Sequence, residues 1–158
     1  MLIIERDLDI LCISETWLHQ DIPNAFINIP NFNVYRCDAG RGGGVCLYVR
    51  DTFKTNEIST TIAKSADVED IWVNVQCNML PSFIAIYRHP HGSSESFDYL
   101  EKGFREMSLK KKSLFILGDL NDDLNKPNSK LTKIINKNKF QQLVNKPTRI
   151  TENTSSLM

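Results

Sequence analysis

Asn31-Phe-Asn-Val-Tyr-Arg-Cys-Asp-Ala-Gly-Arg-Gly-Gly-Gly-Val-Cys-Leu-Tyr-Val49 sets two runs of strand formers around a glycine-rich turn. Phe32 to Cys37 alternates apolar and polar side chains, the period of a half-buried strand, and Val45-Cys-Leu-Tyr-Val49 is a short apolar run that makes another strand. Gly40 to Gly44 suits a tight reversal between them, because glycine takes backbone angles closed to other residues. The two runs are therefore expected as antiparallel neighbours. These glycines lack dinucleotide-loop spacing and precede no helix, which argues against a nucleotide cradle.

Working outward, Asp70 to Gln76 and Ser82 to Tyr87 read as a second hairpin joined by Asn78-Met-Leu-Pro81. Upstream, Asp9 to Ser14 is a first strand, followed by Glu15-Thr-Trp-Leu18 and a loop carrying Pro23 and Pro30. Downstream, Phe97, Leu100 and Phe104 fall at helical spacing within Ser96 to Met107. Leu114 to Leu117 is a short buried strand, and Ser129 to about Asn138 a second helix with Leu131, Ile134 and Ile135 inward. A doubly wound parallel sheet needs a helix after nearly every strand, and Asn31 to Tyr87 offers none. The expected class is therefore an α+β sandwich with helices outside, in a single domain over residues 1–158.

Composition narrows the function classes. Hydrophobic residues make up 41% and charged residues 24%, ordinary values for a soluble domain, and no apolar run has the length of a membrane span. The start lacks a secretory pattern, so an intracellular address and no membrane partner are expected. Nineteen basic residues balance nineteen acidic ones, so no global field draws the chain to nucleic acid and phosphate binding must be local. Cys12, Cys37, Cys46 and Cys77 lie far apart without a Cys-x-x-Cys pair and read as small core residues rather than zinc ligands. His19, His89 and His91 are too scattered for a zinc motif.

Three strands end in polar groups: Glu15 after the first, Tyr87-Arg88 after the fifth, and Gly118-Asp-Leu-Asn-Asp122 after the sixth. Asp119 can take a proton from an attacking water, and the Asn121 amide can donate to a phosphate oxygen. Glu15 is a hard oxygen ligand, suited to Mg²⁺, which takes one or two carboxylates and completes its shell with water and phosphate. Tyr87 can hydrogen-bond a phosphate, and Arg88 can neutralise one or clamp Asp119 in a forked pair. Each residue also has a plain reading: Gly, Asp and Asn are common turn residues, Glu15 a solvated strand-end acid, and Tyr87 a cap on the core edge. The lysines at 110–112 and from Lys126 to Lys139 read as solvated helix faces, or as contacts to a nucleic-acid backbone.

Ile10-Leu-Cys-Ile-Ser-Glu-Thr-Trp-Leu18, Gly42-Gly-Gly-Val-Cys-Leu-Tyr-Val-Arg50, Ile86-Tyr-Arg-His-Pro90, Gly118-Asp-Leu-Asn121 and Pro147-Thr-Arg-Ile-Thr151 occur in that order. In these blocks the chain closely resembles the endonuclease domain of non-LTR retrotransposons, within the endonuclease/exonuclease/phosphatase superfamily. The resemblance implies a four-layered α/β/β/α sandwich of the DNase I-like type, and a phosphodiesterase that uses Mg²⁺, or Mn²⁺, to nick DNA. The nick leaves a 3′-hydroxyl for priming by a reverse transcriptase domain, which is absent here. By position, Glu15 resembles the metal-binding acid and Tyr87 the phosphate-contacting tyrosine. Asp119 resembles the residue that orients or deprotonates the water, with Asn121 as a phosphate and transition-state contact.

The departures are His89, where the family usually has Pro, and Leu120, where it has Phe. The chain also looks truncated at both ends: the family's N-terminal strand with an Asn near the metal, and a late Asp-His pair, have no counterpart. His89 and His91 are expected as mobile loop positions, not as substitutes for that histidine. A chain so shortened is expected to nick supercoiled plasmid poorly or not at all, and one extended at both ends to the family's length to do so with Mg²⁺. Three functions compete: a DNA endonuclease, nuclear if it works on chromosomal DNA; a catalytically dead retroelement remnant that keeps the fold; and a phosphatase of the same superfamily, which the ordered blocks disfavour.

Overall fold

The computed structural model describes residues 2–76, 81–110, 113–150 and 155–156. In chain order it contains α1 (Leu2–Glu5), β1 (Ile10–Ser14), β2 (Phe32–Cys37), β3 (Val45–Arg50), β4 (Lys54–Glu57), β5 (Val68–Gln76), β6 (Ser82–Arg88), α2 (Glu95–Lys110), β7 (Leu114–Asp119), α3 (Lys130–Lys137), β8 (Arg149–Ile150) and β9 (Ser155–Ser156). One sheet has the order β1-β3-β2 and is antiparallel, with Cys37 and Ser14 both opposite Val45. The second has the order β4-β5-β6-β7; its first two pairings are antiparallel, and β7 joins β6 in parallel after the α2 crossover. The strands β8 and β9 make a small separate ladder.

The alternation of side chains divides the apolar residues into three layers of packing. Val45, Leu47 and Val49 of β3 meet Ile71, Val73, Val75, Ala85 and Tyr87 between the two sheets. The opposite face of the second sheet, with Trp72, Ile84 and Ile86, is covered by Leu100, Phe104 and Met107 of α2 and Ile134 of α3. Behind the first sheet, Cys46 and Tyr48 pack on Ile3, Ile29 and Phe32. There the outer layer is one turn of α-helix and a loop with a single 3-10 turn at Asn24–Phe26, because residues 18–31 carry isolated apolar positions and no α-helical period. The architecture is thus the α+β sandwich expected from the sequence, with two facing sheets and few helices.

Cys12, Cys37 and Cys46 are free thiols in the packed layers, as their apolar context implied. Burial pushes the Cys12 thiol up to about 12 and that of Cys46 up to about 11, so both stay protonated and unreactive. Cys77, the turn at Asn78 to Leu80, Lys111 and Lys112 lie outside the described residues. Ser129 caps α3 by accepting from the Thr132 N–H at 3.0 Å, and Asp122 accepts from the Leu131 N–H at 3.0 Å. Helix α3 is thereby tied to the end of the Gly118–Asp122 turn. On the helix surfaces Lys110 pairs with Glu106, and Lys137 with Glu101, so these lysines are solvated partners of acids.

Candidate active site

Register brings the polar strand ends together. Tyr87 lies opposite Glu69 on β5 and opposite Asp119 on β7, so the three form a row across the second sheet. Strand alternation turns that row toward the first sheet, as it does Ile71, Val73 and Val75 on β5. Across the gap, β1 ends at Ser14 and hands over to Glu15. The Tyr87 hydroxyl donates to Glu15 Oε1 at 2.9 Å, a contact spanning 72 positions of sequence. Burial, then the hydrogen bond and charge of Glu15, then Asp119 and Glu69, push the phenol up to about 12. Tyr87 is therefore a proton donor throughout the neutral range.

Backbone geometry aims these groups. Glu15 and Asn121 both take left-handed conformations, with φ of 54° and 47°. Non-glycine residues rarely do so, and here other bonds hold them. The Glu15 turn is fixed by the Thr16 and Trp17 N–H groups, which donate to the Gly44 and Gly43 carbonyls at 3.3 and 2.9 Å. Gly44 itself must lack a side chain, since a Cβ would stand 2.5 Å from Thr16 Oγ1. Gly118 has φ of 118°, and a Cβ there would lie 1.9 Å from the Ile86 carbonyl oxygen. Glycine at that point lets β7 run on to Asp119, two residues further than the apolar run suggested.

Asp119 Oδ1 accepts from the Asn121 N–H at 2.9 Å, and Asn121 Nδ2 donates to the Arg88 carbonyl at 2.8 Å. Arg88 does not clamp Asp119 or face a phosphate. It is buried, donates to Ser96 Oγ at 2.8 Å, to the Gly92 carbonyl at 2.9 Å and to the Leu120 and Asn121 carbonyls at 3.5 and 3.4 Å, and lies 3.9 Å over the Phe97 ring. It holds the Asn121 turn in place from beneath.

Sequence reading missed Glu69 and misjudged His89. Glu69 is buried, and its Oε1 lies 3.0 Å from His89 Nε2, while its Oε2 is buried with no hydrogen-bond partner. The His89 ring meets that of Tyr87 edge-on at 5.3 Å between centroids. It is thus packed and bonded beside the site rather than a free loop position; His91, two residues on, is exposed. Starting β5 at Val68 instead of Asp70 would have revealed the signal, since Glu69 then shares a face with Ile71, Val73 and Val75.

The donor set decides which metal fits. Among the described residues no group of three or more His, Cys, Asp or Glu side chains is arranged to hold an ion. Glu15 is an exposed carboxylate, a hard oxygen donor of the kind a divalent ion takes together with water and phosphate. Trp17, 60% exposed, stands next to it on the rim.

The profile of the Endonuclease/Exonuclease/phosphatase family matches residues 2–156, and the chain belongs to that family. Its members are hydrolases acting on phosphodiester bonds and typically use divalent metal ions. No curated protein matches the chain. Among solved structures it is similar to truncated Caenorhabditis elegans TDP2, at 16% identity and a TM-score of 0.49, over 75% of this chain and 51% of that one. The chain therefore spans about half the length of that structure.

Proposed function

We propose that the chain carries the water-activating and phosphate-binding part of a Mg²⁺-dependent DNA endonuclease of the non-LTR retrotransposon type. The observation that carries this reading is the hydrogen bond of Tyr87 to Glu15, with Asp119 in register beside Tyr87 and bonded to the Asn121 N–H. Asp119 takes the proton of an attacking water whose oxygen bonds to phosphorus. The P–O3′ bond breaks with its electron pair going to O3′, which takes a proton from solvent water, and the products are a 3′-hydroxyl and a 5′-phosphate. The Asn121 amide, fixed by the Arg88 carbonyl, presents its second N–H to a phosphate oxygen. Glu15 would hold the divalent ion, whose charge offsets that on the phosphate.

Tyr87 carries one hydroxyl proton and serves Glu15 with it in the free site. Turning it to a phosphate oxygen gives up that bond for another charge-assisted one, an exchange of similar energies. The DNA substrate rests on the ordered sequence blocks and on Trp17, an exposed ring able to stack on a base. The test is conversion of supercoiled to open-circular plasmid in Mg²⁺, with EDTA and Asp119→Ala as controls. Nicking lost in both controls supports the reading; no nicking above background leaves the non-catalytic remnant in its place.

A further inference from the structure

Glu69 is the one buried side chain among the described residues with a polar atom left without a hydrogen-bond partner. An unpaired buried acceptor costs about 1–3 kcal/mol, more when charged, so such atoms survive where their charge has a use. Its other oxygen is spent on His89 Nε2 at 3.0 Å. That contact fixes the ring orientation and leaves Nδ1 as the nitrogen for an outside partner. The ring stands edge-on to Tyr87, whose hydroxyl reaches Glu15, so the imidazole lies one aromatic ring away from the proposed metal ligand. Gly43 closes over the pair: a Cβ there would lie 3.2 Å from His89 Cε1 and 3.3 Å from Glu69 Oε2, so only glycine packs here without pressing on both.

We propose that His89, aimed by Glu69, is a phosphate-binding side chain of this site, donating from Nδ1–H as an imidazolium to an oxygen of the phosphodiester seated at Tyr87 and Asn121. Glu69 is the positioning residue: it fixes the ring and supplies the negative charge that balances it, so the pair adds a donor without adding net charge. Glu15, Asp119 and Glu69 all lie close enough to Tyr87 to raise its pKa, the incoming phosphate adds further negative charge, and Arg88, the cation on the same strand, faces away beneath the Asn121 turn. A cationic donor on the solvent side of Tyr87 answers that imbalance. The alternative role for the pair is a structural clip that fastens the end of β6 to β5 under the glycine turn.

This inference rests on the phosphodiester reading, and the experiment separates the two. The full chain, with histidine ring nitrogens labelled, is titrated with a short DNA duplex in Mg²⁺ while ring and backbone resonances are followed by NMR. The expected result is a duplex-dependent shift of His89 Nδ1 together with the Asp119 and Asn121 amides, with the His91 ring unmoved. His89→Ala is expected to weaken duplex binding about tenfold or more, the loss of one hydrogen bond to a charged group. His91→Ala is expected to leave it unchanged. Glu69→Gln keeps an acceptor but removes the charge, so the Nδ1 shift should shrink while the fold persists; a structural clip would not produce that change. Shifts at Asp119 and Asn121 with a silent His89 ring would overturn the phosphate-binding role and keep the phosphodiester reading. A duplex that moves none of these resonances would overturn both.

Discussion

Replacing Tyr87 by Phe separates chemistry from stability. The ring is 3% exposed and stays packed between the sheets, so the substitution removes only the hydroxyl that donates to Glu15 Oε1 at 2.9 Å. A hydrogen bond to a charged group contributes about 1.5–3 kcal/mol when its partner is left buried and unmatched. Glu15 is exposed, so water replaces the lost donor, and the expected cost falls to about 1 kcal/mol. With a urea dependence of about 1–3 kcal/mol per molar, the unfolding midpoint should drop by roughly half a molar. If the hydroxyl also contacts the phosphate in the transition state, its loss should slow Mg²⁺-dependent nicking by about a hundredfold or more. Urea unfolding and plasmid nicking on the same preparation give both numbers. Nicking within threefold of the unsubstituted protein would refute the catalytic role. A midpoint shift of several molar would show the hydroxyl to be mainly structural.

Three other outcomes are expected. Gly118→Ala should cost at least about 3 kcal/mol in urea unfolding, because a left-handed backbone strained by a side chain costs about 1–3 kcal/mol and the added Cβ also meets the Ile86 carbonyl at 1.9 Å. The Tyr87 phenol should titrate near 12, raised by burial and by Glu15; since an unfolded tyrosine ionises near 10, this group's contribution to stability is complete below pH 10 and is lost between pH 10 and about 12. Ring-carbon NMR should show the value fall in Glu15→Gln, and an unmoved value would deny the contact. Calorimetry should find weak Mg²⁺ or Mn²⁺ binding that strengthens with DNA and is lost in Glu15→Gln, whereas tight zinc binding that survives the substitution would exclude the assignment.

The parts of this structure that could be read from sequence are those with local causes. Alternation in Phe32–Cys37 and the run Val45–Val49 determine a register in which a one-residue slip would turn the core face outward. Gly118-Asp-Leu-Asn121 marks a strand end because the apolar run stops at a glycine, and the structure carries β7 two residues past Leu117, through Asp119. The edge strand β4, Lys54-Thr-Asn-Glu57, has no apolar period, and only its pairing with β5 makes it a strand. Glu69 and His89 are twenty positions apart and acquire meaning only when β5 and β6 pair. Arg88 looked like a phosphate ligand because it follows Tyr87, but alternation sends it to the opposite face, under α2.

The most direct test of the central claim is the rate at which the chain nicks supercoiled plasmid in Mg²⁺ compared with its Asp119→Ala variant. Asp119 is half-buried, and its bond to the Asn121 N–H is the contact that sets this turn. The account predicts that the slow nicking expected of this chain leaves 3′-hydroxyl ends, forms only with the divalent ion and falls at least about a hundredfold, to background, in the variant. Equal nicking by the two proteins, or nicking that persists in EDTA, would contradict it.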